Sequence, residues 1–87
     1  MNGKEIKNAR YKLGHMWGLN RPLRQSELGR AIRLQGKTPG QSIRLWENGH
    51  TKISGPASAC IDMMLNGSKP PEKMEVIILY QDGGDEL

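Results

Sequence analysis

The chain has 87 residues, a net charge of +4 and no Phe, which leaves room for one small domain with a thin core of Leu, Ile, Met and two Trp. Its single cysteine, Cys60, excludes an intramolecular disulfide and a multi-cysteine zinc site, and fits a reducing compartment. No apolar run approaches the ~20 residues of a membrane span, and the start lacks the apolar stretch of a secretory leader, so a cytoplasmic protein with no membrane partner is expected.

Asn2-Gly3-Lys4-Glu5 has capping-box spacing, and Ile6, Ala9, Leu13, Met16 and Trp17 follow on one helical face, so a first helix is expected over about 3–17, ended by Gly18. Leu19–Leu23 is a connector with an apolar residue at each end. A second helix opens near Arg24 or Gln25, carries Leu28, Ala31 and Ile32 inward, and runs to Leu34 before Gln35-Gly36-Lys37 stops it. Thr38 then suits an N-cap, Pro39 a first helical position and Gln41 the third position of a capping box, which gives a third helix over about 39–48 ended by Gly49. Ile43 and Trp46 lie one turn apart on it and are read as core. After the loop His50–Ile53, Gly55-Pro56 opens a fourth helix with Ala57, Cys60, Ile61, Met64 and Leu65 on one face, ended by Asn66-Gly67. Residues 1–67 are thus expected to form a compact all-α domain of four to five helices. Residues 68–87 read as a C-terminal extension. Its run Met74–Tyr80, short and rich in β-branched residues, is expected to be a strand completed by a second chain, and its acidic tail is expected to be disordered.

Charge is unevenly placed. Residues 1–55 hold eleven Lys/Arg against three acids, a balance of +8; residues 56–87 hold two Lys against six acids, a balance of −4. A basic body points to a polyanionic partner. Catalytic patterns are missing. His15 and His50 lack metal-ligand spacing, Gly36-Lys37-Thr38 lacks the earlier glycine of a phosphate loop because Ala31 stands there, and Cys60 sits on an apolar face. No enzyme, metal or cofactor is expected.

Two short helices joined by a Gly-containing turn match a helix-turn-helix. Leu23-Arg24-Gln25-Ser26-Glu27-Leu28-Gly29-Arg30-Ala31-Ile32, followed by Ser42-Ile43-Arg44-Leu45-Trp46-Glu47-Asn48-Gly49, resembles the lambda-repressor-like (Xre-type) helix-turn-helix family over roughly residues 4–66. The family pattern is Leu-Thr-Gln-x-x-Leu-Ala opening the second helix and Ile-x-x-Trp-Glu-x-Gly closing the third. Here Arg24 replaces the small N-cap, Gly29 replaces the alanine, and the turn is longer around Gln35–Thr38.

The resemblance implies that Glu47 pairs with a basic residue of the first helix, for which Arg10 is the candidate. It implies that the third helix enters a major groove, with Gly40, Gln41, Ser42, Arg44 and Leu45 at the bases. Gln41 is also the residue needed by the cap, and Leu45 suits either a thymine methyl or the rim of the core. Phosphate contacts are expected from Arg24 and Gln25 at the start of the second helix, from Lys37 and Thr38 in the turn, and from Asn48, His50, Thr51 and Lys52 after the third helix. Arg30 and Arg33 suit either phosphate or solvent. The function implied is a sequence-specific, autoregulatory transcriptional repressor of the phage or mobile-element type, binding a palindromic operator as a homodimer through Ile61, Met64, Val76, Ile78 and Tyr80. A rival reading is an antitoxin that also holds a basic toxin through residues 68–87; another is an adaptor whose third helix meets protein.

Overall fold

The first helix is set by its cap. In the computed structural model, which describes residues 1–34, 36 and 38–78, the Asn2 side chain accepts the Glu5 N–H and the Glu5 carboxylate accepts the Asn2 N–H, each at 2.8 Å. The expected capping box is therefore formed, and α1 runs Gly3–Met16 with Ile6, Ala9, Arg10 and Leu13 buried at i, i+3, i+4 and i+7. α2 spans Gln25–Ala31, α3 Pro39–Glu47, α4 Gly55–Leu65 and α5 Met74–Ile78. The fold is all-α, as expected, with no strand among the described residues.

One core gathers these elements. Ile6, Ala9 and Leu13 of α1 meet Leu23 of the connector, Leu28 and Ala31 of α2, Ile43 of α3, Ile61 and Met64 of α4, and Ile77 of α5. Trp17, Ile53 and Trp46 pack on its edge. α2 and α3 cross at glycine. A β-carbon at Gly29 would lie 2.3 Å from the Pro39 carbonyl oxygen, and one at Gly40 would lie 2.7 Å from the Ser26 nitrogen. The two backbones touch there, which needs both side chains to be absent.

Four expectations change. First, Met74–Ile78 is helix, not strand. Ile77 is fully buried, and the Arg30 guanidinium donates from Nε at 3.0 Å and from NH2 at 2.7 Å to the Ile77 carbonyl. A carbonyl that a helix end leaves open is thereby satisfied, whereas a lone strand would have had no partner edge. Second, α2 ends at Ala31, three residues before Leu34. Arg33 takes φ +58°, and the Arg33 and Leu34 N–H groups close back on the Arg30 and Gly29 carbonyls, forming a Schellman motif with arginine in the left-handed position. Third, Thr38 does not cap α3 with its side chain; its hydroxyl donates to the Gln41 side-chain oxygen at 3.2 Å. Fourth, Ile61 and Met64 are 0% and 1% exposed. They fill the chain's own core and have no surface to offer a second copy. Of the other expected dimer residues, Val76 is exposed, Ile78 is half-buried, and Tyr80 lies outside the described residues, as do the tail 81–87 and the last part of the expected strand.

Among the described residues, no helix is long and apolar enough to cross a membrane.

Candidate nucleic-acid interface

α3 is fixed from within. Its inner face carries Ile43, fully buried, and Trp46, packed on the core. Glu47 sits one position further round. Arg10, 1% exposed, donates to it from Nε at 2.5 Å and from NH2 at 2.9 Å, and donates from NH1 to the Leu23 carbonyl at 2.8 Å. Three guanidinium donors are thus matched, which a buried cation requires. Gln25 joins this network, donating from Nε2 to Glu47 Oε1 at 3.2 Å. The pairing of Glu47 with Arg10 implied by the resemblance is present.

The opposite face of α3 is polar and open. Gln41, Arg44 and Asn48 are exposed and Leu45 is half-buried. These residues stand at i, i+3, i+4 and i+7, one stripe along the helix. Ser42 is half-buried at its margin. Among the described residues, no hydrogen bond or ion pair engages the Arg44 side chain. Gly40 belongs elsewhere. Its open side faces the backbone of Gln25 and Ser26, so its place is in the crossing with α2 and not at a base edge.

Asn48, expected among the phosphate contacts, falls in the stripe itself; around the stripe, Thr38, His50, Thr51 and Lys52 are exposed. Arg24 and Gln25 are half-buried at the start of α2. The Arg24 N–H donates to Glu27 Oε1 at 2.7 Å, while its Nε is buried with no hydrogen-bond partner among the described residues. Gln25 spends an amide hydrogen on Glu47, so its first task here is to hold α2 against α3. Lys37 lies outside the described residues.

A second buried carboxylate was not foreseen. Glu27, 1% exposed, accepts from Arg21 NH1 at 2.8 Å and NH2 at 2.9 Å as well as from the Arg24 N–H. Burial pushes its pKa up, but the Arg21 hydrogen bonds, the Arg24 N–H and the charges of both arginines outweigh that and hold it below the ordinary carboxylate value. The Glu27 hydrogen bond is likewise the main reason that the Arg21 pKa lies above its usual value. The available signal was Glu27 at the third position of α2, where a carboxylate reaches back to the helix start. Nothing in the spacing foretold the reach of Arg30 to Ile77.

These pairs shape the surface charge. Two of the three acids in residues 1–55, Glu27 and Glu47, are buried against arginine. The third, Glu5, is exposed but closes the α1 cap. The exposed surface of this region is therefore almost purely cationic. Among the described residues, no cluster of three or more His, Cys, Asp or Glu could hold a metal ion. Compared with known proteins, the chain matches no family model, no curated sequence and no solved structure.

Proposed function

We propose that this chain is a sequence-specific double-stranded DNA-binding protein of the lambda-repressor-like helix-turn-helix type, acting in the cytoplasm as an autoregulatory transcriptional repressor by occupancy alone, with no catalytic step. The observation that carries this reading is the division of α3. One face is locked by Ile43, Trp46 and the Arg10–Glu47 pair, and the other offers Gln41, Arg44, Leu45 and Asn48 on a short helix bordered by cations. Glutamine can pair with adenine N6 and N7, and arginine with guanine O6 and N7. Thr51, Lys52 and the start of α2 flank the stripe where phosphates would run.

Two-fold pairing fits the dimensions. The molecule measures 29 × 28 × 21 Å, so two copies side by side can present equivalent helices about 34 Å apart, one turn of DNA. With Ile61 and Met64 taken by the core, Val76 and Ile78 remain as contacts for a homodimer.

The test is a footprint on the DNA flanking its own gene, followed by a salt titration. A protected two-fold site is expected, with log affinity falling linearly against log salt at about −0.9 per phosphate neutralised. If no duplex is retarded even at low salt, the proposal fails.

A further inference from the structure

Behind the recognition stripe lies a cleft with a different chemistry. It has a volume of about 460 Å³ and sits where the first turn of α1, the end of α3 and the start of α4 meet. That volume falls within the usual range for small-molecule sites. Trp46 and Ile53, both half-buried, give it apolar walls, and Thr51, Lys52 and Ser58 place two hydroxyls and an ammonium on its rim. No acidic residue lines it. The α1 and α4 helices both start at this cleft, at Gly3 and Gly55, and helix starts carry partial positive charge. α3 ends there, but its last turn is closed on itself, with the Trp46 and Leu45 carbonyls accepting the Gly49 and His50 N–H groups. The cleft thus offers an indole for a flat ring and a cation for an anion; the Glu5 carboxylate caps the α1 start, which leaves Lys52 and the α4 start as its positive side.

We propose that this cleft binds a small aromatic monocarboxylate, its ring against Trp46 and Ile53 and its carboxylate at Lys52, and that occupancy withdraws Lys52 and Thr51 from DNA phosphate. The second half rests on the DNA-binding reading; the first half does not. Lys52 and Thr51 serve both surfaces because the loop after α3 has the cleft on one side and the proposed phosphate path on the other. The ligand is therefore an inducer, weakening DNA binding without touching the base-reading stripe.

Heteronuclear NMR of the full chain tests the site without DNA, using phenylacetate, its neutral analogue 2-phenylethanol, and acetate. Phenylacetate should shift the Trp46 indole N–H and the amides of Lys52, Gly55 and Ser58 saturably, while 2-phenylethanol, which lacks the carboxylate, and acetate, which lacks the ring, should each need several-fold more. Lys52→Gln should erase the preference for the acid over the alcohol. Ser58→Leu, placed on the cleft but outside the DNA stripe, should abolish the shifts while leaving the rest of the spectrum in place. The site is overturned if phenylacetate gives no saturable shift at Trp46, if acid and alcohol bind equally, or if Lys52→Gln keeps the preference. In a DNA retardation assay, phenylacetate should weaken the parent several-fold and leave Ser58→Leu unchanged. If the site binds but DNA affinity does not move, the coupling is overturned. If the chain retains no DNA at all, the DNA-binding reading falls while the NMR result still decides the cleft.

Discussion

On its inner side α3 is held three ways: Ile43 is buried in the core, Glu47 is bound by two donors of a buried arginine, and Gly40 lies against the backbone of α2. On its outer side Gln41, Arg44 and Asn48 are exposed, and Arg44 has no described hydrogen-bond or ion-pair partner. One helix and its C-cap thus present two distinct faces. Changes on the inner side should register in stability first and in binding only as a consequence. Changes on the outer side should register in binding alone. A variant that moves both readouts from the outer side, or neither from the inner, breaks the division.

The largest effect is expected at Glu47. Removing it leaves Arg10, 1% exposed, as an uncompensated buried charge, a loss of about 3–5 kcal/mol. Small domains have only about 5–15 kcal/mol in total, so Glu47→Ala should be largely unfolded in mild denaturant by circular dichroism. Replacing both partners, Arg10→Met with Glu47→Leu, should recover much of the loss, because the apolar pair leaves no charge behind. If the single variant unfolds like the parent, the buried pair is not what fixes α3.

Next is the crossing at Gly29. The resembling family places alanine at this position, yet here the Pro39 carbonyl stands 2.3 Å from where a methyl would be. The first turn of α3 lies directly against α2, and the missing methyl at Gly29 makes the room. Gly29→Ala should cost about 1–3 kcal/mol in chemical denaturation, as overpacking does. It should also weaken DNA binding through the displaced helix. A stable variant with unchanged binding would mean that α3 can sit further out at no cost.

The Arg21–Glu27 pair gives the inner region a pH signature. The Glu27 carboxyl is held below its ordinary value of 4.5. A group depressed in this way contributes stability that is fully present above the unfolded value and lost as pH falls through the lower folded one. The stability gap between the parent and Glu27→Gln should therefore be constant near neutral pH and shrink below about pH 4. A gap that widens in acid would reverse the assignment.

Arg44→Ala tests the outer side. It should leave thermal stability within about 0.5 kcal/mol, as exposed substitutions do, and cost about 1–3 kcal/mol of discrimination between the operator and a site altered at one base. Unchanged selectivity would show that the stripe is rotated and that Gln41 or Asn48 reads the base instead.

How much of this could be read beforehand depends on whether the deciding contact was local. The α1 box of Asn2 and Glu5, Pro39 at the start of α3 and Gly49 after its end are signals carried within a turn of chain, and each stands where expected. Met74–Ile78 failed because β-branched composition is a local preference, whereas its conformation is set by the burial of Ile77 and by Arg30, 47 residues away in sequence. Ile61 and Met64 failed differently. Their periodicity showed an apolar stripe, but periodicity does not say whether the chain's own core or a second chain covers it. Gly40, expected at a base edge, lies instead against the backbone of α2, a contact between elements that no local signal carries. The base-reading and phosphate assignments come from the family resemblance and not from a local signal; what the core decides is that Gln41, Arg44 and Asn48 lie outside once Ile43 and Trp46 are placed.

The smallest expected effect sits at the end of α2. Of the four longest helices, α1, α3 and α4 close with glycine in the left-handed conformation, at Gly18, Gly49 and Gly67, while α2 closes with Arg33 at φ +58°. A side chain in that region costs about 1 kcal/mol, and glycine removes the strain while adding freedom to the unfolded chain. Arg33 also approaches Glu72 at 3.6 Å, but its side chain is 61% exposed, so that pair contributes little. Arg33→Gly should therefore raise stability by a few tenths to about 1 kcal/mol in urea titrations, the balance of relieved strain over added chain entropy. DNA affinity should stay near the parent's, because the α2–α3 crossing at Gly29 and Gly40 is untouched. A destabilised variant would mean that Arg33 holds α5 through Glu72 more firmly than its exposure implies. In that case the segment 72–78, and not the left-handed turn alone, would be what ends α2 where it does.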